Sequence, residues 1–207
     1  MAGKKKTAPV RKKIHVVKPP VSVIIPAAGN SGRMGSDKAL LTFPAGLNFA
    51  DHLGTAYRTF GAESVVLVIN GDLDRSRVDQ GLFVCVINEH VEKGRSYSIR
   101  LGIEKISAGQ ACFIHNVDNP FADPFLFDVL LAALIPDGYV VPVCDGRGGH
   151  PVLLGGIMVE YLRKSEVPAD FRMVLQKFRR KEIPFKDERI LWNINTPADY
   201  ELFRKQP

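Results

Sequence analysis

Short apolar runs alternate along this chain with longer segments in which apolar residues recur every three or four positions. The runs are rich in Val and Ile and predict strands, at residues 21–26, 64–69, 82–87, 111–117 and 139–144. The longer segments predict helices, at residues 48–61, 96–109 and 124–134. Because the strands are continuously apolar, we expect helices to cover both faces of a mostly parallel sheet.

The last quarter of the chain has a less regular pattern. It predicts helices at residues 155–165, 170–181 and 196–206 and a short strand at residues 182–187. In the terminal helix, Thr196 is the expected N-cap and Pro197 occupies the first helical position. These elements complete a single α/β domain.

Composition adds a basic tail to this domain. The chain has 207 residues, of which 45% are hydrophobic and 24% are charged, values that are ordinary for a globular protein. The net charge is +6, but the first twenty residues contain seven Lys and Arg and no acid. We therefore expect residues 1–20 to form a basic, disordered tail and residues 21–207 to form the folded domain.

The charges and cysteines also limit the classes of partner. A basic tail can bind nucleic acid, but a solvated extension is the more common case, so no nucleic-acid partner is expected. No run approaches the roughly 18 apolar residues of a membrane span, and no apolar stretch follows the tail as in a secretory signal. The three isolated cysteines lack zinc-site spacing and favour a reduced, cytoplasmic protein.

A glycine-rich loop, "AAGNSGRMGSDK" (27–38), follows the first predicted strand. In an open α/β sheet, ligands bind outside the carboxyl ends of the strands, where this loop begins. Its three glycines allow backbone N–H groups to approach a polyanion, and Arg33 and Lys38 add positive charge. The composition of the loop suits the triphosphate of a nucleotide.

The spacing of this loop excludes two common phosphate-binding motifs. Lys38 stands between Asp37 and Ala39, so the P-loop pattern G-x-x-x-x-G-K-[ST] is not met. The glycines are three residues apart, unlike those of the dinucleotide fingerprint G-x-G-x-x-G. On composition alone, an ordinary turn with surface charges remains equally possible.

The sequence "AAGNSGRMGSDKALL" resembles the A-A-G-x-S-x-R-M-G-x-x-K-x-L-L signature of the MobA-like NTP transferases. This resemblance implies a Rossmann-like nucleotide-diphospho-sugar transferase fold, an NTP substrate, Mg²⁺ and the release of pyrophosphate. It also implies nucleotide contacts at the residues Ala27, Ala28, Gly29, Asn30, Ser31, Gly32, Arg33 and Lys38.

Later segments extend the resemblance. The segment "NEHVEKGRSYSIRLG" (88–102) is similar to a family segment that lies against the base and ribose. The similarity implies nucleotide contacts at Asn88, Ser96 and Ser98, while simple helix capping by the two serines is the alternative.

Three further patches match the family near its metal and substrate sites. In "NVDNPF" (116–121), Asp118 corresponds to the acid that holds Mg²⁺, and in "NINTPADY" (193–200), Asn195 would be the second metal ligand. The segment "GGHPVLLGG" (148–156) implies substrate contacts at Gly149 and His150, although a lone His is as often structural.

The resemblance, which covers about residues 21 to 203, implies an Mg²⁺-dependent nucleotidyltransferase. It would transfer NMP from an NTP to a phosphorylated acceptor such as molybdopterin, as in molybdenum cofactor biosynthesis. Arg33, Lys38 and Asp118 would be the catalytic residues. Ala28 follows the "A-A-G" form associated with cytidylyl transfer, which favours CTP over GTP.

Two departures from the family pattern keep alternatives open. Asn193 replaces the usual Asp, and the segment 42–53 lacks the usual G-x-P-L-L stretch. One alternative is a transferase acting on a sugar phosphate or alditol phosphate. The other is a non-catalytic nucleotide-binding module.

Overall fold

The computed structural model describes residues 18–29, 34–166 and 170–205, so most of the basic tail lies outside the described residues. The strands of its central sheet are β1 (Val21–Pro26), β2 (Ser64–Ile69), β3 (Val84–Ile87), β4 (Ala111–Ile114), β5 (Gly138–Cys144), β6 (Arg147–Gly148), β7 (Val152–Leu154) and β8 (Arg179–Pro184). The α-helices are α1 (Phe49–Phe60), α2 (Gly94–Ile103), α3 (Pro124–Ala132), α4 (Gly156–Lys164), α5 (Phe171–Leu175) and α6 (Pro197–Arg204).

The sheet is mostly parallel, as predicted. Strands β3, β2, β1, β4, β7 and β5 lie side by side in that order, and β6 and β8 also pair with β5. The pairs β1–β2, β1–β4, β2–β3 and β5–β8 are parallel, whereas β7 is antiparallel to both β4 and β5. The carboxyl ends of β1 and β4 therefore meet at one edge of the sheet.

Helices cover both faces of this sheet, because its central strands β1, β2 and β4 are buried and apolar on both sides. One buried cluster holds aromatic residues of α1 and α3, including Tyr57 and Phe127, whose rings stack 4.3 Å apart. The other holds Ile99 and Ile103 of α2 together with residues of α4 and α5. Ile106 is also buried there, although it follows the end of α2.

The helix ends follow local chemistry. The Asn48 side chain caps α1 by accepting a hydrogen bond from Asp51 N, and Gly61 ends it in the left-handed conformation, with φ +96°. Thr196 caps α6 within a capping box closed by Asp199, as the sequence predicted for this position. This cap fixes the residues just before α6, among them Asn195.

Several predicted boundaries were wrong. The strand expected at 111–117 ends at Ile114, and the strand expected at 182–187 is Arg179–Pro184. The helix expected at 96–109 starts at Gly94 and ends at Ile103. The helix expected at 170–181 ends at Leu175, because residues 179–181 belong to β8, which pairs with β5. The side chains of β8 are largely exposed, so a charged sequence is compatible with this strand. The strand β7 was not predicted at all, because it has only three residues.

None of the helices in the described ranges has both the length and the apolar character that a membrane crossing requires. The three cysteines are free.

Candidate active site

A cavity of about 230 Å³ opens at the carboxyl ends of β1 and β4. Three pieces of chain form its walls: the start of the glycine-rich loop, the residues that follow β4, and the first turn of α2. It is lined by Pro26, Ala27, Ala28, Gly29, Lys38, Val91, Gly94, Arg95, Ser98, Asn116, Val117 and Asp118. The predicted loop and the predicted acid thus share one cavity.

Lys38 joins the two residues that the sequence predicts as metal ligands. Its Nζ lies 3.5 Å from Asp118 Oδ2 and donates to Asn195 Oδ1 at 2.5 Å. The side chains of Lys38 and Asp118 are only 20% and 21% exposed, so their charges interact with little screening by water. A cation therefore already lies between the two predicted metal-binding oxygens.

The position of Asn195 depends on the cap of α6. Its backbone N–H donates to Asp199 Oδ2 at 3.0 Å, and its side-chain N–H donates to the carbonyl of Asn193 at 3.1 Å. The amides of Asn195 and Thr196 lower the pKa of Asp199, and the positive charge of Lys38 lowers it further. Asp199 therefore stays ionised and orients Asn195 through its backbone N–H.

The donor set at this site fits Mg²⁺. Asp118 Oδ1 is buried and has no hydrogen-bond partner among the described residues, so one carboxylate oxygen is available as a ligand. Carboxylate and amide oxygens are hard ligands, and Mg²⁺ is commonly held by one or two protein oxygens plus phosphates and water. The described residues contain no cluster of three or more His, Cys, Asp or Glu that could bind a metal without such help.

The glycine-rich loop is described only in part. Ala27, Ala28 and Gly29 line the cavity, and the backbone N–H of Ala27 donates to Val68 O at 2.7 Å, which fixes the loop's first turn. Gly35 has φ +69°, a conformation that favours glycine. The other four predicted contacts, Asn30, Ser31, Gly32 and Arg33, lie outside the described residues.

The first turn of α2 brings Ser98 to the cavity. Asn88 is buried behind it and donates from Nδ2 to Ser98 Oγ at 2.9 Å, while its Oδ1 accepts from His90 N. Ser96 is fully buried and is not among the lining residues. Of the three nucleotide contacts predicted here, the structure therefore brings Ser98 to the cavity and places the other two behind its wall.

Arg95 also lines the cavity, although it was not among the residues predicted from the sequence. It follows Gly94, whose φ of +78° starts the helix at the cavity edge. Partial burial lowers the pKa of its guanidinium, and the carboxylates of Asp118 and Asp170 oppose that shift. Arg95 thus adds a cation facing Asp118; it occupies a variable position of the matched segment, so the motif alone could not identify it.

Gly149 and His150 lie one layer behind the cavity. His150 Nε2 accepts from the side-chain amide of Asn116 at 3.0 Å, and Asn116 lines the cavity. Withdrawal from water lowers the pKa of His150 well below its usual value, and the positive charge of Arg95 lowers it further. A Cβ on Gly149 would lie 2.5 Å from Ile190 O, so this position requires glycine. The predicted substrate contact of His150 would therefore act through Asn116.

Comparison with known proteins places this geometry in a family. The MobA-like NTP transferase domain matches residues 23–182. The molybdenum cofactor cytidylyltransferase of Escherichia coli (strain K12) is 23% identical over 182 residues, which cover 87% of this chain and 93% of that protein.

Solved structures agree on the fold. Rv0371c from Mycobacterium tuberculosis H37Rv superposes with a TM-score of 0.78 at 18% identity. The match covers 91% of this chain and 100% of the Rv0371c chain. The 2-C-methyl-D-erythritol 4-phosphate cytidylyltransferase of Thermus thermophilus gives 0.65 at 20% identity, covering 89% and 97%. With the family match, these relatives confirm the Rossmann-like fold of the nucleotide-diphospho-sugar transferases. The chain belongs to the MobA-like NTP transferase family and is a nucleotidyltransferase.

Proposed function

We propose that this nucleotidyltransferase is Mg²⁺-dependent and transfers CMP from CTP to a phosphorylated acceptor such as molybdopterin, with release of pyrophosphate. The observation that carries the proposal is that Asp118 and Asn195 meet at Lys38, beside a cavity that Lys38 and Asp118 line. Asp118 Oδ1 is buried and without a partner among the described residues. A strongly polar site of this kind suits a metal-bound polyphosphate.

The proposed reaction is a displacement at the α-phosphorus of the NTP. An oxygen of the acceptor phosphate forms a bond to the α-phosphorus of the NTP, and the bond from that phosphorus to the oxygen bridging to the β-phosphorus breaks. The products are the nucleotidyl–acceptor diphosphate and pyrophosphate. The protein supplies position and charge neutralisation rather than a covalent intermediate.

The predicted catalytic and metal-binding residues and Arg95 each have a role in this scheme. Asp118 and Asn195 would hold Mg²⁺, which supplies charge neutralisation at the phosphate oxygens. Lys38 and, in the glycine-rich loop, Arg33 would bind the β- and γ-phosphates and stabilise the leaving pyrophosphate. Arg95, which faces Asp118 from the other wall, would add to the positive charge near the reacting phosphate.

CTP is favoured on two grounds. The loop has the "A-A-G" form, with Ala28 in the cavity wall, and Ser98 presents a hydroxyl held in place by Asn88. Two relatives are also named for cytidylyl transfer, one from E. coli and one from T. thermophilus. The E. coli name favours molybdopterin as acceptor. The T. thermophilus name supports the alternative of an alditol phosphate.

The family match argues against a non-catalytic module, the alternative that rests on Asn193. The Asn193 side chain is exposed and donates to the carbonyl of Leu191 at 2.9 Å, a contact that a carboxylate in its place could not make. The residue therefore adds no negative charge near Asn195. Turnover, rather than nucleotide binding, separates this candidate from an enzyme.

Pyrophosphate release tests the proposal. The full chain is assayed with each of the four NTPs, with Mg²⁺, and with molybdopterin, a sugar phosphate or an alditol phosphate as acceptor. We expect the highest kcat/KM for CTP with molybdopterin. A higher value with another acceptor would select the alternative transferase. Thermal stabilisation by CTP and Mg²⁺ without turnover on any acceptor would select the module; a ligand at 100 times its Kd stabilises by about 2.7 kcal/mol.

A further inference from the structure

Asn119 is a buried side chain next to the predicted metal ligand Asp118, and its exposed fraction is 0%. Its Nδ2 group has two hydrogens and lies within hydrogen-bond distance of three backbone carbonyls of one segment, so one hydrogen is shared between two of them. The carbonyls are those of Arg189, Ile190 and Trp192, at 3.2, 2.9 and 2.9 Å. Its Oδ1 accepts from Phe121 N at 3.2 Å. One side-chain amide therefore binds three carbonyls within four residues of a segment that is 70 or more positions away.

The backbone of Asn119 is itself fixed to the sheet. Its N–H donates to Asn116 O at 3.0 Å, and its carbonyl accepts from the Nε2–H of His115 at 2.9 Å. The other ring nitrogen of His115 accepts from the hydroxyl of Tyr57 at 2.8 Å. Tyr57 and His115 are fully buried, so this support is part of the rigid core.

The segment that Asn119 binds, 189–195, leads to Asn195 and has little other structure. Its regular structure is a short 3-10 turn, Glu188–Leu191, and within the described ranges none of its residues belongs to a strand of the sheet. Besides Asn119, the carbonyl of Ile190 accepts from His150 N at 2.9 Å, and Ile194 N donates to Asp118 O at 2.8 Å.

We infer that Asn119 is a positioning residue: it sets the register of the segment 189–195 against the Asp118 turn, so that Asn195 faces Asp118 across Lys38. The inference rests on the proposed role of Asp118 and Asn195 in holding Mg²⁺ with the nucleotide. Without the contacts to Asn119, the segment keeps its backbone hydrogen bonds to His150 and Asp118 but loses the support between them. Its alignment then shifts, and the two oxygens no longer converge. Asn119 touches neither nucleotide nor metal in this scheme.

Two measurements distinguish positioning from simple stabilisation. The first is Mn²⁺ affinity in the presence of CTP, measured from the electron paramagnetic resonance signal of free Mn²⁺. The second is the emission of Trp192, the only tryptophan of the chain, whose carbonyl Asn119 binds. Both report on the segment and the site, not on the free energy of unfolding.

The variants are Asn119→Ala and Asn119→Ser, with Asn48→Ala as a matched control. Asn48 is also a buried amide that donates to a backbone carbonyl, that of Arg77 at 2.9 Å, but it caps α1 away from the cavity. We expect Asn119→Ala to raise the Kd for Mn²⁺ with CTP at least tenfold and to shift the Trp192 emission. Asn119→Ser keeps one donor and should give a smaller effect. Asn48→Ala should lose stability but keep the wild-type Kd and emission.

The outcomes separate this inference from the proposed function. If wild-type protein fails to bind Mn²⁺ with CTP or any other NTP, the proposed function fails. If, in addition, the Trp192 emission is unchanged in the Asn119 variants, Asn119 does not set the alignment of the segment 189–195 either. If wild type binds and the Asn119 variants bind equally well, the inference alone is overturned. If Asn119→Ala does not fold, Asn119→Ser decides by the same two measurements.

Discussion

The ammonium of Lys38 lies 3.5 Å from the carboxylate of Asp118, although 80 positions separate the two residues. Lys38 follows β1 and Asp118 follows β4, which are parallel neighbours in the sheet. The connections after two such strands meet at the same edge, so their charged residues become a pair. Each charge compensates the other where water has little access. Binding of a metal and a polyphosphate would exchange this pair for new partners on both sides.

The first prediction concerns Asp118. Replacement Asp118→Asn keeps the shape of the side chain but removes the charge that would hold Mg²⁺. We expect turnover to fall at least about a hundredfold, the size of effect seen when one charge-stabilising group is lost. The measurement is steady-state pyrophosphate release at saturating CTP and Mg²⁺. Asp137→Asn, which breaks an exposed ion pair with Arg179, is the control and should leave turnover unchanged. A wild-type rate in Asp118→Asn would remove Asp118 from the mechanism.

The second prediction concerns Lys38. Its replacement should raise the affinity for the metal ion but lower turnover. Lys38→Met removes a cation next to the metal position, and two like charges about 4 Å apart repel by roughly 4 kcal/mol at an effective dielectric constant near 20. We expect Mn²⁺ without nucleotide to bind more tightly to the variant. Turnover with CTP should nonetheless fall at least about a hundredfold, because the leaving pyrophosphate loses a cation.

Isothermal titration with Mn²⁺ and the pyrophosphate assay give the two readouts. Lys177→Met is a suitable control, since Lys177 is an exposed cation that contacts Tyr161 far from the cavity. Weaker binding of both Mn²⁺ and CTP would instead mean that Lys38 only holds Asp118 and Asn195 in place.

The sequence predicted the parts of the fold that follow from continuous apolar runs and from helix caps. Strands β1 and β2 and helix α1, with Asn48 and Gly61 at its ends, are where the pattern placed them. Strand β8 was predicted three residues too late, and its first half was assigned to a helix. Its start depends on pairing with β5, which runs in parallel from Gly138↔Arg179 to Val143↔Pro184. A charged strand at a sheet edge has no apolar periodicity for the sequence to show.

The site, like the fold, was predicted from the sequence only in part. The convergence of Lys38 and Asp118 followed from the loop's place after one strand and the acid's place after another. The sequence could not separate Ser98, which reaches the cavity, from Asn88, which holds Ser98 from behind. Nor could it find Asn119, because its contacts with three carbonyls 70 or more residues away depend on where a segment lacking periodicity lies.

The third prediction tests the packing of α2 on the sheet. A Cβ at Gly102 would lie 2.6 Å from the side chain of Ile24, which is fully buried in β1. We expect Gly102→Ala to lower the free energy of unfolding by about 1–3 kcal/mol, since overpacking outweighs the helical preference of Ala. Urea unfolding measures the difference. Gly71→Ala is the control, because its Cβ would have no atom within 4 Å. Equal stability of both variants would show that α2 can shift away from β1 at little cost.

The fourth prediction is a pH dependence of stability caused by His115. Burial lowers the pKa of His115 from its usual 6.5 to about 3, although the hydrogen bond to the Asn119 carbonyl acts in the opposite direction. Between these values the unfolded chain binds a proton that the folded protein does not. Stability from this group is therefore complete above pH 6.5 and is lost as the pH falls from 6.5 toward 3. Between pH 7 and pH 5 the loss is about 2 kcal/mol.

The variant His115→Gln isolates this contribution. Glutamine does not titrate, and its amide can both accept from the Tyr57 hydroxyl and donate to a carbonyl, the two contacts that the imidazole makes. We expect the variant to be less stable than wild type at pH 7, but to lose less of its stability between pH 7 and pH 5. Urea unfolding at both values measures this. His150 also has a lowered pKa and titrates in both proteins, so only the difference between them belongs to His115. Parallel stability curves for the two proteins would mean that the pKa of His115 is not lowered in the fold. The ring would then take up a proton as readily in the folded protein as in the unfolded chain, and the lowered pKa would be wrong.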